Sequence, residues 1–180
     1  MKHVYWVWKN YLSMKNIENI NNIALKNINA SWNDDPARSR KTSKVNFIEY
    51  LKIKSELNNC INDIYTSNKN NFNSIIYPFD ETTKVFYNTY EKGTEYDWHI
   101  DGNSKNNDWD YKFTVLINIS DKKYKGGKFK IWHNGTPQEI KEFSEPGDML
   151  MFRSFFLHKV TPITSGTRKT LTILIKGSCI

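Results

Sequence analysis

The sequence after residue 74 divides into short segments rich in β-branched and aromatic residues, and this division constrains the fold more than any other feature. Turn-forming residues bound the segments, as at Gly126-Gly127, Asn134-Gly135 and Pro146-Gly147. The eight predicted strands are Ile75–Tyr77, Lys84–Tyr90, Glu95–Ile100, Lys112–Ile119, Gly127–His133, Asp148–Arg153, His158–Thr161 and Lys169–Ile175. Short strands joined by tight turns in this number are typical of a double-sheet jelly roll.

The first 73 residues follow a different pattern. After Ser13, a residue type that often caps helices, apolar side chains recur at helical spacing from about Met14 to Lys26, and again from Leu57 to Tyr65. The other predicted features here are strands at His3–Trp8 and Val45–Leu51, a loop at Asn33–Arg40 and a polar helix end at Ser67–Asn73. We therefore predict one mainly β domain over residues 1–180: a double-stranded β-helix (jelly roll) at 74–177, buttressed by N-terminal α-helices within 1–73.

Composition and charge indicate the setting of the protein. The chain has 180 residues and a net charge of +7, but its lysines are scattered, which fits a coding bias better than a nucleic-acid surface. Cys60 and Cys179 form no metal-binding or redox pair, so Cys60 is predicted to be a reduced thiol in the core. Met1–Leu12 lacks the features of a signal peptide, and no segment is long and apolar enough to cross a membrane. We expect a soluble, cytoplasmic protein.

Three residues carry the strongest chemical prediction. His99 and Asp101 lie two residues apart on a predicted strand, so their side chains project to the same side. His158 begins a later predicted strand, and two imidazoles with one carboxylate form the ligand set of non-haem Fe(II) oxygenases. His133 competes as the third ligand, but nothing with the right spacing follows it, and we interpret it as a hairpin residue.

Arg168 follows His158 by ten residues and shares a predicted strand face with Thr170. A guanidinium binds a carboxylate through two parallel hydrogen bonds, and a hydroxyl adds another. Three protein ligands leave metal positions open for 2-oxoglutarate and for O2. We therefore predict Fe(II), 2-oxoglutarate and O2 as cofactors, with ascorbate as the reductant. Tyr90 and Asn118 are further candidates for the 2-oxoglutarate pocket; the alternatives are a core position for Tyr90 and an exposed one for Asn118.

A wider set of motifs resembles the prolyl 4-hydroxylase branch of the Fe(II)/2-oxoglutarate-dependent oxygenases, in particular its small bacterial and bacteriophage members. The motifs are Tyr90-x-x-Gly93-x-x-Tyr96-x-x-His99-x-Asp101, Pro146-Gly147-Asp148, Leu157-His158-x-Val160-Thr161-Pro162 and Gly166-Thr167-Arg168. The resemblance implies that His99, Asp101 and His158 bind iron. It also implies that Arg168, helped by Thr170 and Tyr90, binds the distal carboxylate of 2-oxoglutarate. Arg153 departs from the pattern, because a proline is expected there.

These observations predict a dioxygenase that hydroxylates an aliphatic C–H bond, with a prolyl residue of a peptide or protein as the favoured substrate. Two alternatives stay open: oxidation of a nucleobase or small metabolite by the same chemistry, and a non-catalytic basic binding module on the same fold. Nucleic acid is a possible but not a favoured partner, no membrane partner is expected, and the oligomeric state is undetermined. The polar segment Gly102–Tyr111 is predicted to fold over the substrate.

Overall fold

The computed structural model describes residues 3–27, 29–32, 41–102 and 108–179 as a mainly β protein. The N-terminal elements are strands β1 (Tyr5–Trp8), β2 (Asn29–Trp32) and β3 (Lys44–Glu49), and helices α1 (Met14–Asn27), α2 (Tyr50–Ile53) and α3 (Cys60–Ser67). Strands β4 to β13 follow at Lys84–Tyr90, Tyr96–His99, Asp110–Asn118, Lys125–Gly126, Phe129–His133, Thr136–Glu139, Met149–Arg153, His158–Val160, Ile163–Ser165 and Arg168–Gly177.

The strands form two main antiparallel sheets. The larger sheet has the order β1-β10-β6-β13-β4-β3-β2, the smaller one has the order β5-β11-β8-β9, and β12 pairs with β7. From β4 onward the chain passes back and forth between the two sheets, which is the winding of a double-stranded β-helix. The predicted jelly roll is therefore confirmed.

The helices pack against the larger sheet. Ile17, Ile20 and Ala24 are fully buried on one face of α1, as their helical spacing predicts. They belong to a core cluster that also includes Leu57, Cys60, Ile64, Val115, Ile117, Leu171 and Ile173. Cys60 is buried and unbridged, as predicted. None of the described helices combines the length and the apolar character that crossing a bilayer requires.

A second apolar cluster lies between the two sheets. It is formed by side chains of both sheets, including Leu116, Leu150 and Phe152 from the larger sheet and Phe129, Ile131 and Val160 from the smaller one. The side chains alternate along each strand, so one side of β6 and β10 reaches this cluster. The candidate site described below lies beside it.

Several element boundaries differ from the sequence predictions. Ser67–Asn73, predicted to end the second helix, instead continues α3 through a wide turn at Asn68–Phe72. Both ends of the Asn68 side chain bond to the Ser74 backbone, at 2.9 and 3.0 Å, and close this turn. Ile75–Tyr77, predicted as a strand, contributes a single bridge between Ile76 and Gly177. The predicted loop Asn33–Arg40 and half of the predicted substrate loop (residues 103–107) lie outside the described residues.

Two hydrogen bonds and a ring contact give Arg153 a structural role. One guanidinium nitrogen donates to Ser74 Oγ at 2.6 Å, and the other donates to the Phe72 carbonyl at 2.8 Å. The group also lies over the ring of Phe113, 5.8 Å from its centroid. Arg153 thus joins β10 to the turn that follows α3.

Candidate active site

The predicted metal ligands lie on neighbouring strands of the smaller sheet. His99 of β5 and His158 of β11 are paired directly across the antiparallel ladder. Asp101 follows two residues after His99, and its backbone N–H donates to the Ser154 carbonyl at 3.0 Å. Strand pairing therefore brings together two segments that are distant in the sequence.

The three side chains converge on one point. Their candidate ligand atoms all lie within 4.8 Å of one another. His99 Nε2 is 3.6 Å from Asp101 Oδ1, and His158 Nε2 is 3.4 Å from Asp101 Oδ2. Spacings of this size surround a metal ion bound at roughly 2 Å from each atom, and the donor set of two imidazoles and one carboxylate suits Fe(II).

Hydrogen bonds to the backbone set the tautomer of both imidazoles. His99 Nδ1 lies 2.6 Å from the Asp97 carbonyl, and His158 Nδ1 lies 2.8 Å from the Phe156 carbonyl. A carbonyl oxygen only accepts hydrogen bonds, so Nδ1 carries the proton in both rings. The lone pair of each Nε2 then faces the shared point, which is the usual arrangement of metal-binding histidines.

Local electrostatics keep the ligands in the protonation states that a metal needs. Burial, together with neighbouring His158, lowers the pKa of His99 to about 3, so this imidazole is neutral. Burial opposes ionisation of Asp101, but bonds and charges from His158, His99 and Thr114 outweigh it and lower its pKa to about 2. Thr114 Oγ1 donates to Asp101 Oδ2 at 2.7 Å and so orients the carboxylate.

Arg168 faces the same cavity as the three ligands. The cavity has a volume of about 230 Å³, and its wall includes His99, Asp101, His158, Arg168 and Thr170. The Arg168 side chain is only 2% exposed, its Nε has no hydrogen-bond partner, and no described carboxylate pairs with it. A buried cation without a counter-charge is costly, so this end of the cavity fits the carboxylate of a bound ligand.

The wall behind Arg168 is closely packed around a glycine. Gly127 has a left-handed φ of +61°, and an added Cβ would lie 2.5 Å from Ile163 Cδ1 and 2.8 Å from Arg168 Cδ. Only glycine therefore leaves room for the methylene chain of Arg168 at this point. The guanidinium carbon also lies 5.4 Å from the Tyr90 ring centroid and 5.8 Å from that of Phe143.

Of the other predicted pocket residues, Thr170 and Tyr90 lie in the cavity wall and Asn118 does not. Thr170 and Tyr90 both line the cavity with Arg168, and Tyr90 is paired with Arg168 across the β13–β4 ladder. Burial raises the pKa of Tyr90 in spite of the nearby Arg168 charge, so its phenol remains a hydrogen-bond donor. Asn118 is fully buried and is not part of the cavity wall. Its amide donates to Tyr124 Oη and to the Ser144 carbonyl, so the predicted pocket role of Asn118 has no support in this geometry.

Three residues near the site escaped prediction. Thr114 orients Asp101, whereas Lys41 and Asn88 line the cavity and are joined by a 2.7 Å hydrogen bond from Lys41 Nζ to Asn88 Oδ1. Thr114 lies two residues from Leu116 on the inward side of β6, so strand alternation could have indicated it. Lys41 has no such indication, because it precedes β3 and reaches the cavity only through the fold.

A larger concave surface, of about 680 Å³, lies beyond Phe143. Lysines form much of its rim, namely Lys122, Lys123, Lys125, Lys128 and Lys141. Phe129 lines both concavities, but the larger one contains none of the predicted ligands and not Arg168. Chemistry rather than size therefore identifies the smaller cavity as the candidate active site.

A comparison with protein families agrees with this ligand set. Residues 85–176, which contain His99, Asp101, His158 and Arg168, match the model of the 2OG-Fe(II) oxygenase superfamily. The chain belongs to this superfamily. Among its curated relatives, this oxygenase-superfamily chain is 32% identical over 117 residues to a PKHD-type hydroxylase of Synechococcus sp. (strain CC9605). That match covers 62% of this chain and 49% of the relative, so the chain spans about half the relative's length.

Solved structures share the fold of this oxygenase-superfamily chain. A prolyl-4-hydroxylase of Pseudomonas putida superimposes with a TM-score of 0.73 at 13% identity, over 98% of this chain and 94% of that protein. A prolyl hydroxylase from Trichoplax adhaerens, in complex with a hypoxia inducible factor peptide fragment, superimposes with a TM-score of 0.71 at 20% identity, over 96% and 83%. At these sequence identities, the structural similarity shows only that the jelly-roll fold is shared.

Proposed function

We propose that this protein is an Fe(II)- and 2-oxoglutarate-dependent dioxygenase that hydroxylates an aliphatic C–H bond. One observation supports the proposal above all others. The His99, Asp101 and His158 side chains face a single cavity of about 230 Å³ together with the buried Arg168, which pairs with none of the described carboxylates. A metal site and a carboxylate site in one cavity match the two ends of 2-oxoglutarate.

The residues have distinct roles in this proposal. His99, Asp101 and His158 hold the metal, and Arg168, Thr170 and Tyr90 hold the distal carboxylate through charge and hydrogen bonds. When bound, iron and 2-oxoglutarate activate O2: one oxygen atom enters succinate, which forms with loss of CO2, and the other enters the substrate C–H bond. The apolar side chains of Leu116, Phe129 and Val160 line the cavity and help to exclude water from it.

We further propose that the substrate is a prolyl residue of a peptide or protein. The relatives support this assignment, because a PKHD-type hydroxylase matches the sequence and prolyl hydroxylases share the fold. One of these structures is a complex with a peptide fragment. A peptide substrate also agrees with the sequence motifs that resemble the prolyl 4-hydroxylase branch.

Turnover without substrate tests the chemistry directly. Purified protein supplied with Fe(II), ascorbate and 2-oxoglutarate should release succinate slowly, and Asp101→Ala and His158→Ala should abolish the release. The Lys130→Ala variant, which changes an outward-facing residue of β8, serves as the control. Wild-type protein that produces no succinate under these conditions would contradict the proposed function.

A peptide library then tests the substrate. Proline-containing peptides are incubated with the active enzyme, and mass spectrometry searches for the gain of one oxygen atom. Oxygen on proline supports the assignment. A gain found only on oligonucleotides or small metabolites offered in parallel would replace the prolyl substrate and leave the oxygenase chemistry in place.

A further inference from the structure

The His99 ring lies flat against the ring of Tyr96. The two ring centroids are 3.3 Å apart and the ring planes differ by 11°. Lys41 Nζ lies over the Tyr96 ring at 4.8 Å from its centroid. Since the imidazole fills one face of the Tyr96 ring, the ammonium group lies over the other. The three side chains form a stack, which we call the Lys41–Tyr96–His99 stack.

An irregularity in β5 makes this stack possible. His158 pairs with His99 and Val160 pairs with Tyr96, so β5 has one more residue than β11 over the same length. Such a bulge lets Tyr96 and His99, three residues apart, face the same side. Asp97 forms a salt bridge with Lys159, 3.1 Å away, and this lysine also lies over Trp98, so the two residues between Tyr96 and His99 face away from the cavity.

The far end of the stack is anchored in the larger sheet. Lys41 Nζ donates to Asn88 Oδ1 on β4 at 2.7 Å, and Asn88 Nδ2 donates to Thr172 Oγ1 on β13 at 3.0 Å. Lys41 is also bridged to Tyr96 through the backbone. The stack therefore connects a metal ligand of the smaller sheet to two strands of the larger one.

His158 has a different environment. The Phe152 ring meets it at 68° with the centroids 4.7 Å apart, and the Phe129 ring is tilted by 37° at 5.6 Å. No ring lies parallel to His158 among these contacts. The flat stack is therefore a feature of His99 and not of both histidines.

We propose that Tyr96 is a positioning residue for the iron ligand His99, and that Lys41 holds Tyr96 in place; this inference rests on the proposed metal site. The hydrogen bond to the Asp97 carbonyl directs His99 Nε2 but leaves the ring free to tilt about the bond axis. Contact with a flat ring removes this freedom. The π face of Tyr96 also attracts an imidazole made electron-poor by a metal, and the ammonium of Lys41 is attracted to the same ring.

Two substitutions at Tyr96 separate the flat ring from the hydroxyl group. Tyr96→Phe keeps the stacking surface, whereas Tyr96→Leu keeps apolar volume but removes the plane. Co(II) serves as a probe that does not react with 2-oxoglutarate and O2, and its visible absorption reports both affinity and geometry. Tyr77→Leu, at an exposed tyrosine that does not line the cavity, is the matched control.

We expect Tyr96→Leu to weaken Co(II) binding about 10- to 100-fold, the range found for residues that support metal ligands, and to change the shape of the absorption spectrum. Tyr96→Phe and Tyr77→Leu should bind Co(II) as the wild type does. Lys41→Met should weaken binding less than Tyr96→Leu. Thermal unfolding of each metal-free variant shows how much of any change is a loss of folded protein.

Two results would overturn the inference. If Tyr96→Leu lowers only the unfolding temperature, with Co(II) affinity and spectrum unchanged, Tyr96 is a packing residue. If Tyr96→Phe is as defective as Tyr96→Leu, the hydroxyl rather than the flat ring is responsible. Wild-type protein that binds no Co(II) would instead contradict the metal site on which both proposals depend.

Discussion

Arg168 is a buried cation, and no carboxylate in the described part of the chain pairs with it. Its side chain is 2% exposed, and Tyr90 and Phe143 cover the guanidinium with ring faces rather than with a carboxylate. Ring faces attract a cation but do not replace a salt bridge. The folded protein therefore accepts an electrostatic cost, which we expect a bound carboxylate to offset.

Arg168→Met should have opposite effects on the stability of the ligand-free protein and on the binding of 2-oxoglutarate. Without ligand, the variant should be as stable as the wild type or more stable, because an unpaired charge is replaced by an apolar chain. The 2-oxoglutarate concentration that gives half-maximal succinate release should rise about 10- to 100-fold, since a charged hydrogen-bonded contact is worth about 1.5–3 kcal/mol. Chemical denaturation and succinate assays measure the two effects.

Lys169→Met is the control for this experiment, because its side chain faces Asp121 rather than the cavity. It should leave the 2-oxoglutarate requirement unchanged. A metal-free Arg168→Met protein that unfolds much more easily than the wild type would mean that Arg168 has a structural partner instead.

His99 predicts how the metal-free protein responds to acid. Its pKa is lowered to about 3, whereas an unfolded histidine has a pKa of about 6.5. Between these values the unfolded chain takes up a proton that the folded protein does not. The contribution of His99 to stability is therefore complete above about pH 6.5 and is lost as the pH falls towards 3. Asp101, with its pKa lowered to about 2, adds a further loss below about pH 4.

Urea unfolding between pH 7 and 4.5 measures this dependence. His99→Gln should give a flatter fall of the unfolding free energy than the wild type, because it removes the titrating group from both states. His133→Gln, outside the site, should keep the wild-type slope. Identical slopes for all three proteins would show that the pKa of His99 does not change on folding.

At the scale of single elements, β5 shows what a sequence pattern can and cannot predict. His99 and Asp101 were predictable because they obey the two-residue alternation of a strand. The inward position of Tyr96, three residues before His99, was not, because the bulge arises from pairing with β11. Strands β2 and β9 were missed for a related reason: they are short and polar, and only their neighbours make them strands.

The Arg153 contacts lead to a prediction about the turn that follows α3. Arg153→Met should destabilise the protein by about 1–2 kcal/mol, because two hydrogen bonds from a charged donor are lost while some burial of charge is relieved. Amide exchange should become faster in residues 68–74, where the two acceptors lie. Lys84→Met, at an exposed position of β4, is the control. Unchanged exchange at residues 68–74 would show that the turn is held by Asn68 alone.

At the scale of the molecule, the site is divided between the two sheets. The candidate metal ligands lie on or next to strands of the smaller sheet, whereas Arg168 and Thr170 belong to β13 of the larger one. Residue types and spacing were enough to predict these side chains, because each obeys a local rule. The cavity wall of Lys41, Asn88 and Phe86 was not predictable, since it depends on how β3 and β4 align in the sheet.

A ligand that touches both sheets should couple them. We expect 2-oxoglutarate to raise the unfolding temperature strongly when Mn(II) is present and weakly when it is absent, because one end of the molecule needs the metal and the other needs Arg168. Thermal unfolding with Mn(II), 2-oxoglutarate or both measures this coupling. Succinate, which has the distal carboxylate but no keto group, should show less dependence on Mn(II). Equal shifts by 2-oxoglutarate with and without Mn(II) would contradict the divided site.

The close packing around Gly127 has a consequence for selectivity. Gly127 and Ile163 lie close to the Arg168 side chain, and the two imidazoles lie on paired strands. We expect the distance between the Arg168 guanidinium and the two imidazoles to change little when a ligand binds. We therefore expect 2-oxo diacids with one methylene fewer or one methylene more to bind more weakly than 2-oxoglutarate.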